Sequence, residues 1–186
     1  MPSAEPGPVD PAAAALVSAL SREGLTLGCA ESLTGGLLAA TIVSVPGASQ
    51  VLRGGVVAYA ADVKESLLGV DGGLLAAHGT VHPDVALQMA AGARRLLGCD
   101  LAIATTGVAG PGPSEGHPAG TVHVACVSAS MQEVRSLHLD GDRPEIRRQT
   151  VAEAVDLAAS VASSDEAGTV VPTPSPRATE REGVEP

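Results

Sequence analysis

The chain alternates short, nearly continuous apolar runs with helical stretches, and this alternation limits its fold more than any other feature. Residues 25–30, 56–59 and 101–105 are largely apolar, as is typical of strands that are covered on both faces of a sheet. Residues 121–127 and 134–139 also have strand character and are close enough in sequence to form an antiparallel hairpin. The pattern therefore predicts a layered α/β fold around a sheet that is in part parallel.

Capping residues mark where the helices between these runs begin and end. Asp10 and Pro11 are suited to an N-cap and a first helical position, and Gly24 ends that helix. The other predicted boundaries are Gly35 and Gly36 for a second helix, Asp62 and Gly69 for a short third, His82 and Gly98 for a fourth, and a capping box of Asp142 and Glu145 for the last.

The core of this fold has to be aliphatic. Among 186 residues there is one tyrosine and neither phenylalanine nor tryptophan, while 45% of the residues are hydrophobic, which suits one globular domain. We expect residues 1–9, which are rich in proline, to be flexible, and residues 10–162 to form the domain. Residues 163–186 are rich in Ser, Asp, Glu, Pro and Thr and lack an apolar period, so a disordered tail is predicted.

Charge and cysteine usage narrow the class of protein. A net charge of −10 disfavours direct binding of nucleic acid, which requires a basic face. The three cysteines lie among apolar residues and form no CxxC pair, which indicates buried thiols in a reducing compartment. No spacing typical of a metal site is present, and neither a signal peptide nor a membrane span is recognisable. We therefore expect a cytoplasmic protein that binds no membrane.

The single lysine, Lys64, lies five residues after the single tyrosine, Tyr59, while ten arginines supply the other positive side chains. An arginine keeps its proton in a protein, whereas a lysine loses it when its surroundings lower its pKa. Lys64 is therefore a candidate for a position that needs a neutral amine. The alternative is that drift in composition has left one lysine on the surface.

Polar side chains gather where three predicted strands end, and in an open α/β sheet such ends converge on the site. Ser32 and Thr34 follow the first strand, Tyr59 and Lys64 the second, and Thr106 the third. Serine and lysine form a nucleophile–base pair on several folds, and we expect these loops to bring Ser32 and Lys64 within reach. Helix capping is an equally good explanation for Ser32 and Thr34 taken singly.

Two further features favour binding of an anionic ligand. Gly35 and Gly36 offer main-chain N–H groups at a helix start, where an anion or oxyanion can bind. Arg143 and Arg147 belong to the densest basic cluster, at the start of the last helix, although solvated helix charges are the usual explanation for such a cluster. The glycine- and proline-rich loop 107–113 allows close approach of a ligand to the backbone but matches no phosphate-binding motif.

Taken in order, motifs along the chain resemble those of the CinA family's carboxy-terminal domain, the nicotinamide-nucleotide amidases. The matching motifs are AESLTGG at 30–36, SVPGAS at 44–49, GGVVAY at 54–59 with Lys64, LGV at 68–70, HGTV at 78–81, TGVAGP at 106–111, PAGTV at 118–122 and GDR at 141–143. The resemblance extends from about residue 10 to residue 160.

The resemblance implies a three-layer α/β/α fold with a mostly parallel mixed sheet. It also implies hydrolysis of nicotinamide mononucleotide to nicotinate mononucleotide and ammonia, with no metal or organic cofactor, in a homodimer or higher homo-oligomer. The family domain also occurs behind a molybdopterin-binding-like domain, which nothing here encodes, so a stand-alone form is expected.

Under this hypothesis each candidate residue has a role. Ser32 is the nucleophile, Lys64 the general base, and Tyr59 donates a hydrogen bond or relays the proton. The oxyanion is held by N–H groups near Thr34, Gly35 and Gly36, the ribose or ring by Thr106 and the loop that Gly107 begins, and the 5′-phosphate by Arg143 or Arg147. Direct attack by water, with Ser32 only positioning the amide, is the alternative route.

The chain departs from the family pattern at Ala60, Ala61, His82 and His117. The family usually has Asn where Ala61 stands, so a hydrogen bond to substrate or loop is missing. An alternative hypothesis is therefore a catalytically weakened interaction protein linked to competence or recombination.

Overall fold

Residues 9–166 are described by the computed structural model, and within them one five-stranded sheet lies between two layers of helices. The strands are β1 (Leu27–Glu31), β2 (Leu52–Val57), β3 (Leu101–Gly107), β4 (Thr121–Val127) and β5 (Gln132–His138). The helices are α1 (Pro11–Glu23), α2 (Leu37–Val43), α3 (Ala61–Leu68), α4 (Gly72–His78), α5 (Pro83–Leu97) and α6 (Arg143–Glu166), with a short 3-10 helix at Ala48–Gln50.

The sheet has the strand order β2-β1-β3-β4-β5. Strand β1 pairs in parallel with β2 and with β3, whereas β4 pairs antiparallel with β3 and with β5. Four strands therefore point in one direction and only β4 opposes them. The predicted mixed sheet and its terminal hairpin are confirmed.

Each face of the sheet has its own aliphatic core, as the α/β/α prediction requires. On one face Leu27, Cys29 and Ile103 pack with α1, α2 and α6. On the other face the strands present mainly alanines, and α5 packs on them through Val85 and Met89. These small side chains let the helix approach the sheet closely, because no Phe or Trp is available to fill a wider gap.

Most caps behave as local sequence rules predict. The Asp10 carboxylate accepts from the N–H of Ala13, and Gly24 ends α1 in the left-handed conformation. His82 caps α5 and Gly98 ends it. The prediction for Asp62 was wrong by two residues, because Ala60 is the N-cap and Asp62 lies in the first turn.

The ends of β1, β3 and β5 differ from the sequence predictions by up to two residues, and three elements differ by more. Strand β2 begins at Leu52 rather than at 56, because residues 52–55 form a half-exposed edge whose two glycines conceal the strand pattern. Helix α4 was not predicted, since it begins with two glycines and buries no side chain; the Asp71 cap on the N–H of Leu74 holds it. Helix α6 continues to Glu166, four residues into the segment expected to be a tail.

The rest of the predicted tail, residues 167–186, and the N-terminal segment 1–8 lie outside the described residues. Within residues 9–166, none of the helices has the length and apolar character that a membrane crossing requires.

Candidate active site

Lys64 and Ser32 meet at the ends of the first two strands. Ser32 follows β1 directly, and Lys64 lies in α3, the helix after β2. The Lys64 ammonium nitrogen, Nζ, is 3.0 Å from Ser32 Oγ, and it donates to the main-chain carbonyls of Ala58 at 2.8 Å and Tyr59 at 3.0 Å. The lysine side chain is fully buried. The predicted proximity of the two residues is confirmed. The alternative, that Lys64 is a surface residue left by drift in composition, is excluded.

The two carbonyls hold the amine in place beside the Ser32 hydroxyl. A neutral lysine has two N–H bonds and one lone pair. When Ala58 and Tyr59 accept the two N–H bonds, the remaining lone pair is directed at the Ser32 hydroxyl. Burial lowers the pKa of Lys64 from 10.5 to about 8, and the negative charge of Glu115 opposes that shift. About one amine in ten is then neutral at pH 7.

A buried carboxylate, Glu31, organises the turn that carries Ser32. Its Oε2 accepts from the N–H groups of Gly36 at 2.9 Å and Leu38 at 3.0 Å, and its Oε1 accepts from Ala39 at 2.8 Å. The carboxylate thus caps α2 in place of a conventional N-cap side chain, and its charge favours the helix N-terminus. Sequence reasoning missed this role, although an acidic residue five positions before a glycine helix start was a usable signal.

This arrangement corrects the predicted oxyanion site. The N–H of Gly36 donates to Glu31, and that of Gly35 donates to the Ser32 carbonyl at 3.1 Å, so neither is free for an oxyanion. Among the described residues, no acceptor is recorded for the N–H groups of Leu33 and Thr34. Those two donors, next to Ser32, are the ones that remain at this turn; Leu33 lines the pocket, whereas Thr34 is fully buried.

The side chain of Tyr59 is directed towards solvent rather than towards the pair. It is 62% exposed and lines the pocket in front of Ser32, while its main-chain carbonyl holds Lys64. No described residue is hydrogen-bonded to its hydroxyl. The structure thus places the ring of Tyr59 at the pocket and its backbone at the amine.

The predicted threonine ligands are buried parts of the scaffold. Thr34 Oγ1 and Thr105 Oγ1 share a 2.8 Å hydrogen bond, and Thr106 Oγ1 donates to the Thr80 carbonyl at 2.7 Å. The side chains of Thr34, Thr105 and Thr106 are all fully buried. The hydroxyl of Thr106 is thus used within the protein and not offered to a ligand.

Gly107 lines the pocket but also has a packing role. A Cβ at this position would lie 2.5 Å from the Thr121 carbonyl oxygen, so only glycine lets β3 pair this closely with β4.

The two candidate arginines differ in what they contact. Arg147 Nε donates to the Leu33 carbonyl at 3.0 Å, and its Nη2 donates to the Thr34 carbonyl. Arg147 therefore holds the Ser32 turn. Arg143 is exposed, lines the pocket and donates to the Gly110 carbonyl at 2.8 Å through Nη1 alone. Of the two, Arg143 has the guanidinium donors left for a phosphate.

A pocket of about 210 Å³ opens in front of Ser32. The loop that follows β3 forms most of its wall, and Tyr59, Thr80, Glu115 and Arg143 complete it. Glu115 and Thr80 were not singled out from the sequence, because their loops have no motif that indicates charge recognition. Within residues 9–166, no three His, Cys, Asp or Glu side chains are grouped so as to hold a metal ion.

Known proteins with similar sequences show which family this chain is related to. The sequence profile of the CinA C-terminal domain matches residues 9–162. A "CinA-like protein" of Frankia casuarinae is 52% identical over 138 residues, which is 74% of this chain and 32% of that protein. Another from Geobacter sulfurreducens is 49% identical over 75% of this chain and 34% of that protein. The chain thus spans about a third of the length of these curated relatives.

Solved structures agree over nearly their whole length. The competence/damage inducible protein CihA of Agrobacterium tumefaciens superposes with a TM-score of 0.80 at 35% identity, over 86% of this chain and 98% of that one. A competence-damaged protein (CinA) superfamily protein from Escherichia coli gives 0.79 at 29% identity, over 87% and 94%.

Proposed function

The chain belongs to the CinA C-terminal domain family, and from this membership and its buried Ser–Lys pair we propose that it is an amidohydrolase. The substrate we propose is nicotinamide mononucleotide, which is converted to nicotinate mononucleotide and ammonia. The observation that carries the proposal is the Lys64 amine, which is buried, has a lowered pKa and lies 3.0 Å from Ser32 Oγ. A lysine in that state is able to take the serine proton at physiological pH.

The reaction begins with attack of Ser32 Oγ on the carboxamide carbon, while Lys64 takes the hydroxyl proton. The N–H group of Leu33, a residue that lines the pocket, stabilises the oxyanion of the tetrahedral intermediate. Lys64 then gives its proton to the leaving nitrogen and the C–N bond breaks. Ammonia departs, and the acyl group remains as an ester on Ser32. Water, deprotonated by the same amine, attacks the ester, and Lys64 returns that proton to Ser32 Oγ as the ester bond breaks. The released acid loses its proton to solvent and leaves as the carboxylate.

The charges of the pocket suit a nucleotide of this kind. Arg143 is anchored by one guanidinium nitrogen, which leaves the others for the 5′-phosphate. The exposed ring of Tyr59 offers a flat face beside Ser32 on which a pyridine ring is able to stack.

Ammonia release from nicotinamide mononucleotide by the purified protein tests the proposal. We expect release that Ser32→Ala abolishes and that Ser66→Ala leaves unchanged, because the Ser66 hydroxyl is bonded within α3 to the exposed Asp62 carbonyl. Intact-mass measurement after rapid quench should find an acyl group on Ser32; a turning-over enzyme with no such adduct would favour direct attack by water.

An interaction protein linked to competence is the second candidate, because solved relatives are described as competence/damage inducible and Ala61 stands where the family usually has Asn. No ammonia above a heat-killed control, across related pyridine nucleotides, would favour it.

A further inference from the structure

Glu115 is a fixed carboxylate in the wall of the pocket. Its Oε1 accepts from the Thr80 hydroxyl at 2.9 Å, and its Oε2 accepts from the Thr80 main-chain N–H. A Cβ on Gly79 would lie 2.3 Å from Oε2, so a larger residue there would displace the carboxylate from this position. Glu115 and Gly116, with φ of 52° and 79°, are the central residues of a tight turn that Ser114 and His117 close with two main-chain hydrogen bonds.

Glu115 is exposed, yet its carboxylate is not simply solvated. It accepts two hydrogen bonds from Thr80, and both residues line the pocket. The negative charge is thus held at one position in the pocket.

The charges around the pocket are few and of opposite sign. Among the residues that line it, Glu115 and Arg143 are the charged ones, and the Lys64 amine lies directly behind Ser32. Tyr59, the one tyrosine in a chain without Phe or Trp, is also exposed there rather than buried in the core. An anionic group, a cationic group and an aromatic face are therefore all presented to one ligand.

We propose that Glu115 makes the site specific for substrates whose ring carries a positive charge beside the amide. This inference rests on the proposed function, because the pyridinium ring of nicotinamide mononucleotide is a cation and its phosphate is an anion. Glu115 then attracts the ring, Arg143 the phosphate, and the Tyr59 face adds a cation–π contact. The 1,4-dihydro form of the same nucleotide has the same amide and phosphate but a neutral ring, so the site discriminates against it.

Dissociation constants for the oxidised and dihydro nucleotides, measured by calorimetry, test this specificity. A Ser32→Ala background prevents turnover during the titrations. With Glu115→Gln added, we expect the affinity for the cationic form to fall about fivefold, as for one exposed charge pair. The affinity for the neutral form should change less than about twofold by the same reasoning.

The neutral ligand is the control for folding, because a collapsed loop would weaken both ligands alike. Glu65→Gln is the matched control variant, since it removes a carboxylate from α3 that does not line the pocket. Three outcomes would overturn the inference. Glu115→Gln lowers the affinity for both ligands equally, it lowers neither affinity, or the Ser32→Ala protein binds neither ligand. Ammonia release is measured separately on the unsubstituted protein. If Glu115 favours the cationic ligand but no ammonia is released, the proposed function alone is contradicted. If ammonia is released but Glu115 does not favour the cationic ligand, the inference alone is contradicted.

Discussion

Arg147 on the last helix donates a 3.0 Å hydrogen bond to the carbonyl of Leu33, 114 residues earlier in the chain, on the turn that carries the Ser32 hydroxyl. The same guanidinium also holds the carbonyl of Thr34. We therefore predict that Arg147→Lys, which cannot bridge two carbonyls with a planar fork, lowers kcat about tenfold or more with little change in KM. Arg148→Lys, one position along and exposed, is the control. A rise in KM alone would instead indicate that Arg147 binds substrate.

Arg143 should show the opposite kinetic pattern. Because it lines the pocket and retains free donors, we predict that Arg143→Ala raises KM for nicotinamide mononucleotide about tenfold, as for a lost charge-assisted contact. The affinity for the phosphate-free nucleoside should not change. Steady-state kinetics with both compounds measures this difference, and equal losses for both would contradict a phosphate role.

Lys64→Arg tests the proton transfer most directly. Arginine keeps the positive charge and the aliphatic stem but does not lose its proton at any accessible pH. Since a general base contributes about 10²–10⁴ in rate, we predict a loss of turnover of at least about a hundredfold. Turnover is to be read beside the melting curve, with Lys64→Met as a second variant that fills the buried space without a charge. Near-normal turnover in either folded variant would contradict the Ser–Lys mechanism.

The pH dependence follows from the pKa of Lys64, which burial lowers to about 8. The neutral amine is the active form, so kcat/KM should rise with pH and level off above about pH 8. Below that pKa it should fall about tenfold for each unit of pH. A profile measured between pH 6 and 9.5 checks this. A flat profile across that range, or one still rising steeply at its upper end, would show that a different group limits the reaction.

Glu31 is predicted to act on stability as much as on activity. Glu31→Ala leaves three N–H groups at the start of α2 without their acceptor, and we expect a loss of about 2–3 kcal/mol in the free energy of unfolding. Urea denaturation measures the loss. Glu23→Ala removes only a surface carboxylate paired with Arg22, and its effect should stay within about 0.5 kcal/mol. Equal stability of the two variants would show that Glu31 is not a cap.

Features that depend on neighbours in the chain were predictable. The caps at Asp10 and His82 and the hairpin of β4 and β5 follow from local rules on turns and periodicity. The meeting of Ser32 and Lys64 followed from a more general rule, that the carboxyl ends of parallel strands converge. Helix α4 was missed because its glycines and exposed side chains produce no apolar period.

The sequence by itself thus determined the layered α/β architecture, most helix ends and the meeting of Ser32 with Lys64. The reason is that periodicity and capping act over short distances, and strand direction acts along whole elements. Only the tertiary structure decided how the remaining polar groups are used. It assigned Arg147 to two carbonyls and Gly36 to the Glu31 carboxylate. The physical reason is that each buried donor or acceptor must find a partner, and which partner is nearest depends on packing between segments that lie far apart in the chain.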